Sequence, residues 1–145
     1  MPPDITEKLA AIGRVIDTPR TQAIYDALHD TEPYSNAIVT RDIKYGLDAL
    51  QALDVFTQSS ASARPVLIHL HGGAFERGDK HTPGTPFSDN IALWAARNGM
   101  VGVNANYRLA PNTQWPSGPQ DVAAILHWVK ANIAGHGGDP AQIFL

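Results

Sequence analysis

Pro65-Val66-Leu67-Ile68-His69-Leu70-His71-Gly72-Gly73-Ala74-Phe75 is the stretch whose reading decides the fold class. Its first six residues are almost continuously apolar. A strand covered on both faces, as in a parallel sheet, reads this way, whereas a strand with one wet face alternates. The run then meets two adjacent glycines, which let the backbone turn sharply and come close to a ligand. A loop rich in Gly and Pro fills residues 71–86. Beyond it, Phe87, Ile91, Trp94 and Ala95 mark one side of a helix, with Ser88 near its start and Asn98-Gly99 as its stop. Residues 100–107 read as the next strand and 108–116 as another loop. A second helix follows, capped by Ser117, with Val122, Ile125, Leu126, Val129 and Ile133 as its buried stripe and Gly135 as its end. Ile143-Phe144-Leu145 begins a further apolar strand. Strand, helix, strand, helix, strand implies parallel strands joined by right-handed crossovers.

Toward the N-terminus the period changes to two. Residues 37–45 alternate, and residues 50–57 alternate more clearly, with Leu53, Val55 and Thr57 on one face and Asp54 and Phe56 on the other. Gly46 and Asp48-Ala49 supply the turn between them. This pair reads as an antiparallel hairpin at a sheet edge, and residues 58–64 as a polar connection. Residues 1–30 read as two short helices: Ile5, Leu9, Ile12 and Ile16 at helical spacing, an interruption at Thr18-Pro19, then Ile24 and Leu28. The division expected is a helical segment over residues 1–34 and an α/β unit over 35–145. The fold class is therefore α/β, an antiparallel edge hairpin plus parallel strands with crossover helices.

Composition excludes several functions. The 145 residues are 43% hydrophobic and 17% charged, ordinary for a chain with a real core, so wholesale disorder is not expected. No apolar run approaches the roughly 18 residues of a membrane helix. No basic-then-apolar export signal is seen, and a cytoplasmic location is the expectation. A net charge of −3 leaves no basic surplus for nucleic acid. The absence of cysteine removes disulfides, thiolate metal sites and cysteine nucleophiles.

Chemistry concentrates at Gly72 and Gly73. The N–H groups of a tight glycine turn have no obvious ladder partner, and two or three that converge make an oxyanion hole. Read alone, His-Gly-Gly is more simply a turn that needs glycine for sterics. His69 and His71 share a face if the strand continues, and with Asp79 and His81 they bring a metal site to mind. The apolar surroundings of His69 and the glycine at 73 speak against it, and no metal is expected. Neither G-x-x-x-x-G-K-[ST] nor G-x-G-x-x-G occurs, so a phosphate cradle is not expected.

Three ordered motifs resemble the α/β-hydrolase superfamily, in particular hormone-sensitive-lipase-like carboxylesterases, with the arylformamidase-like branch close. They are His71-Gly72-Gly73-Ala74-Phe75 with Gly78-Asp79, then Tyr107-Arg108-Leu109-Ala110-Pro111, then Asp121 followed by Gly137-Gly138-Asp139-Pro140 before Ile143-Phe144-Leu145. The resemblance covers residues 37–145, and the preface more weakly. It implies the N-terminal portion of an α/β-hydrolase fold and a serine hydrolase acting on a small-molecule ester or amide, with no cofactor. It also implies a nucleophile in Gly-x-Ser-x-Gly on the turn after the fifth strand, and an acid and a base later still. None of Ser35, Ser59, Ser60, Ser62, Ser88 and Ser117 stands in that motif. The expectation is an N-terminal part of a longer enzyme, cut before the nucleophile elbow and inactive alone; the alternative is a complete small domain with a short last strand.

Carried over residue by residue, the resemblance makes Gly73 and Ala74 the oxyanion N–H donors and Gly72 the residue that shapes the loop. Phe75 lines an acyl or alcohol pocket or simply packs. His71 orients or packs and is not the general base. Asp79 fixes the loop by accepting backbone N–H bonds, and Arg108 pairs with Asp121 to hold loop to helix. Trp94 and Trp128 belong to the core, and Trp115 packs at a loop or borders the pocket. Residues 1–34 occupy the place where related esterases build a cap. A non-catalytic module, one that pairs with itself or with a missing C-terminal half, is the rival reading.

Overall fold

The computed structural model describes residues 3–59 and 61–145. Met1 and Pro2, in the stretch read as the first helix, and Ser60, in the polar connection, lie outside the described residues. The elements are α1 (Pro3–Ile12), α2 (Thr18–Asp26), β1 (Ile38–Lys44), β2 (Ala52–Thr57), β3 (Arg64–Leu70), α3 (Asp89–Arg97), β4 (Val101–Ala105), α4 (Ser117–Asn132) with a 3-10 turn over Ile133–His136, and β5 (Gly138–Phe144). Among the described residues no helix is long and apolar enough to cross a membrane.

All five strands join one sheet in the order β1-β2-β4-β3-β5. β2 runs antiparallel to β1 and β4, while β3 runs parallel to β4 and β5. This is the expected class: a hairpin at one edge and parallel strands whose connections carry α3 and α4. Side-chain alternation along the strands separates two layers. Leu53, Val55, Val66, Ile68, Val101, Val103 and Ala105 pack with Ile125, Val129 and Ile133 under α4. At roughly 1.5–3 kcal/mol per fully buried aliphatic side chain, this layer supplies most of the hydrophobic stabilisation. On the opposite face Phe56 meets Ala92, Leu93 and Ala96 of α3.

Several local expectations change. β2 is buried at every position rather than on one face, because β1 and β4 flank it and a helix layer covers each side. Trp94 is 56% exposed and not core. The sheet-facing side of α3 is instead Ala92, Leu93, Ala95 and Ala96, since the backbone of Ala92 lies almost on Gly102. Phe87 precedes that helix. Thr18-Pro19 opens α2 rather than merely interrupting a pattern: Pro suits the first helical turn, and the Asp17 carboxylate accepts from Arg20 N at 3.0 Å. Ile16 is consequently left exposed between the helices. Ser117 is the first residue of α4 and makes no side-chain cap; Pro116 holds the capping position. That helix ends at Asn132, and the left-handed stop falls at Gly137, two residues past Gly135.

Candidate active site

Where β3 ends, the chain lifts off the sheet at His71. The ring of His71 stacks on Tyr107, centroids 4.5 Å apart and planes 14° from parallel. The Tyr107 hydroxyl donates to the His71 carbonyl at 2.9 Å. Nδ1 lies 2.8 Å from the Gly72 carbonyl, which can only accept, so this nitrogen carries the proton. Nε2 is then a buried acceptor without a partner among the described residues.

Gly73, Ala74 and Phe75 all take positive φ, at 124°, 58° and 62°. For Ala and Phe this conformation is strained, and strain of this kind persists only where the surroundings hold it. The Gly73 carbonyl accepts from Glu76 N at 3.1 Å and Arg77 N at 3.2 Å, which closes the turn. The N–H groups of Gly72, Gly73 and Ala74 donate to nothing among the described residues. Successive amides left unpaired by a turn are the kind of donors that can receive a negative oxygen.

A cavity of about 730 Å³ adjoins the loop. Leu70, His71, Phe75, Tyr107, Trp115 and Val122 are among its walls. His71 and Phe75 flank the three amides; the amides themselves are not part of the wall. Phe75 is 67% exposed and meets Tyr107 edge-on, at 5.9 Å. Its carbonyl accepts from Ala110 N at 2.8 Å, tying the glycine loop to the loop after β4. Trp115 stands exposed at the same cavity, and Trp128 packs partly buried against the α4 layer.

Arg108 and Asp121 form a dense pair. The guanidinium reaches the carboxylate through Nε at 3.0 Å and Nη2 at 2.8 Å, and Arg108 N donates at 2.8 Å. Gln51 Nε2 adds a bond at 2.7 Å. Burial raises the Asp121 pKa, but these donors outweigh it and hold the carboxyl below its usual range. Asp79 accepts from His81 N and from Asn106 Nδ2, each at 3.1 Å. His81 places Nδ1 3.0 Å from Asp89, and among the described residues no cluster of three or more His, Asp or Glu could hold a metal.

A second charged network escaped the sequence reading. β1 carries a bulge between Thr40 and Ile43 with Asp42 at φ 57°, which places Arg41 and Asp42 against one buried carboxylate, Asp54. Arg41 Nη1 reaches Asp54 at 2.8 Å, and Asp42 N donates to it at 2.8 Å. The same guanidinium holds Asp89 and, outside the sheet, Glu32. Tyr34 OH donates to Asp89 at 2.8 Å. Burial raises the Asp89 pKa, yet Arg41 and Tyr34 bring it below the ordinary range. Lys80, 6% exposed, completes the network with Nζ 2.8 Å from both Asp42 and Asp54. The available signal was Asp54 within an apolar strand, and Asn104 and Asn106 two apart, one in β4 and one just past its end.

The family model BD-FAE matches residues 53–145. Esterase LipC of Mycobacterium tuberculosis is 34% identical over 101 residues, 68% of this chain and 24% of LipC. Esterase B from Lactobacillus rhamnosis superposes with a TM-score of 0.69 at 19% identity, over 97% of this chain and 42% of that one. A bacterial heroin esterase gives 0.58 at 29% identity, over 99% and 47%. The chain spans about a quarter of LipC and less than half of either solved relative. The sheet order and these superpositions agree on the α/β-hydrolase fold.

Proposed function

We propose, from the premise that the chain belongs to the BD-FAE family, that it supplies the oxyanion loop of a carboxylic-ester hydrolase. The observation carrying this reading is the set of unpaired amides on Gly72, Gly73 and Ala74, presented by a left-handed turn beside a largely apolar cavity. A serine alkoxide attacks the ester carbonyl, and the carbonyl oxygen takes negative charge. Preorganised N–H donors stabilise that charge without reorganising at the moment of reaction. Phe75 and the cavity walls take the apolar part of the substrate. No serine of this chain stands in Gly-x-Ser-x-Gly, so nucleophile, acid and base are assigned outside it. Residues 1–34 act as a cap in the same proposal, and the location is cytoplasmic, which fractionation checks.

The test uses a chromogenic short-chain ester and an N-formyl arylamine side by side. The 145-residue chain alone turns over neither above background; saturable hydrolysis blocked by a serine-reactive inhibitor would overturn the division of labour. In a gene product where Gly-x-Ser-x-Gly follows β5, ester hydrolysis appears, and Gly73→Ala, which keeps its N–H but drives the turn off the Arg77 carbonyl oxygen, lowers kcat toward the loss expected for a missing donor, about 100- to 1,000-fold. An unchanged kcat defeats the oxyanion assignment, and faster formamide cleavage selects the amide-cleaving branch.

A further inference from the structure

We propose that Lys80 is a positioning residue for the amides of Gly72, Gly73 and Ala74, acting with Asn104 and Asn106 as a clasp on the outgoing end of the loop. The inference rests on the reading of those amides as the oxyanion site. A turn that protrudes from a sheet is placed by its two feet. The incoming foot is His71, fixed by the Tyr107 ring and hydroxyl. At the neck the chain comes back so tightly that a Cβ on Gly78 would lie 2.2 Å from His71 Nδ1 and 2.4 Å from the Gly72 carbonyl oxygen. The outgoing foot is Lys80, the first buried residue after His71.

Every polar group of Lys80 is engaged. Its N–H donates to Asn106 Oδ1 at 2.5 Å, and its carbonyl accepts from Asn104 Nδ2 at 3.3 Å. Its ammonium lies between Asp42 of the β1 bulge and Asp54 of β2. One residue thus ties the loop to three elements of the sheet. Asn106 also holds Asp79, and it is the neighbour of Tyr107, so both feet are fastened to the same few residues after β4. An apolar residue could fill this space without desolvating a charge, and buried ion pairs are a weak source of stability. What the ammonium adds is direction: two carboxylates on different strands leave it one place to sit.

The test is an amide spectrum of the ¹⁵N-labelled chain. Lys80→Met and Asn106→Ala are expected to shift and broaden the Gly72, Gly73 and Ala74 resonances while those of Leu93 and Ile125 stay in place. Lys80→Arg, which keeps the charge, is expected to bring the three loop resonances back toward their original positions. Gly102→Ala, which strains the sheet away from the loop, serves as the control for general destabilisation and leaves them unmoved. The proposal is overturned if the loop resonances stay put in the first two variants, or if Gly102→Ala moves them as far. Should Lys80→Met fail to fold, Asn106→Ala decides alone. This readout involves no catalysis, so unmoved amides sink the clasp and leave the oxyanion reading standing, whereas an unchanged ester rate in Gly73→Ala sinks the oxyanion reading and leaves the clasp only as a fastening of the loop.

Discussion

Gly73 and Gly72 are adjacent and chemically identical, yet their surroundings ask different things of them. A Cβ on Gly73 would stand 1.9 Å from the Arg77 carbonyl oxygen, at a φ that side chains avoid. A Cβ on Gly72 would meet nothing within 4 Å. Gly73→Ala is therefore expected to cost about 1–3 kcal/mol through backbone strain alone, and more from the clash. Gly72→Ala should stay within about 0.5 kcal/mol of the parent. Urea unfolding of the two variants checks the contrast, and equal losses would show that the turn is not held as described. The pair of glycines was legible as a special turn from the letters alone. Which of the two is held by its neighbours was not, because Arg77 closes on Gly73 only through the hydrogen bonds of the folded turn.

Among the elements, α3 and β4 define each other most closely. Gly102 has no side chain, and a Cβ there would sit 2.3 Å from the Ala92 carbonyl oxygen. The helix accordingly presents Ala92 and Ala96 to the sheet and turns Trp94 outward. Gly102→Ala is expected to push α3 off the sheet at a cost of about 1–3 kcal/mol, seen as a lower melting temperature and faster amide exchange along α3. An unchanged melting temperature would contradict so close an approach. The period of this helix was readable, but its face was misassigned. Large apolar residues were favoured for the core, whereas a helix lying this close to a strand leaves room only for small ones. β2 shows a different case: its alternation put Leu53, Val55 and Thr57 on one face and Asp54 and Phe56 on the other, and both faces are buried, with Arg41 and Lys80 pairing the Asp54 carboxylate.

Across the molecule, the charged groups join parts far apart in sequence. Arg41 connects Glu32 of the preface, Asp54 of β2 and Asp89 of α3. Asp42, Asp89 and Asp121 all have pKa values below the ordinary carboxylate range: Lys80 lowers Asp42, and cationic and hydroxyl or amide donors outweigh burial at the other two. A carboxylate with a depressed folded pKa contributes stability above its unfolded value, about 4, and loses it as pH falls through the folded value. His69 acts at higher pH. Burial, and then His71, push its pKa down, so the folded state resists a proton that the unfolded chain accepts below about 6.5. Unfolding free energy is therefore expected to decline gently as pH drops below about 6.5 and steeply below about 4. His69→Gln should flatten the first slope and leave the second. Urea titrations at a series of pH values check both, and stability rising toward acid would refute the network.

The strand and helix order, the edge hairpin and the location of the glycine loop could all be read from residues in series, because hydrophobic period and glycine placement are local signals. Arg108 and Asp121 were also visible, being thirteen residues apart across one loop. The Lys80, Asp54, Asn104 and Asn106 cluster was not, since its members lie on separate elements and meet only when β4 inserts between β2 and β3. Local sequence specifies which backbone conformations are cheap; which buried charges find partners depends on strand order, and strand order is settled by packing between distant segments.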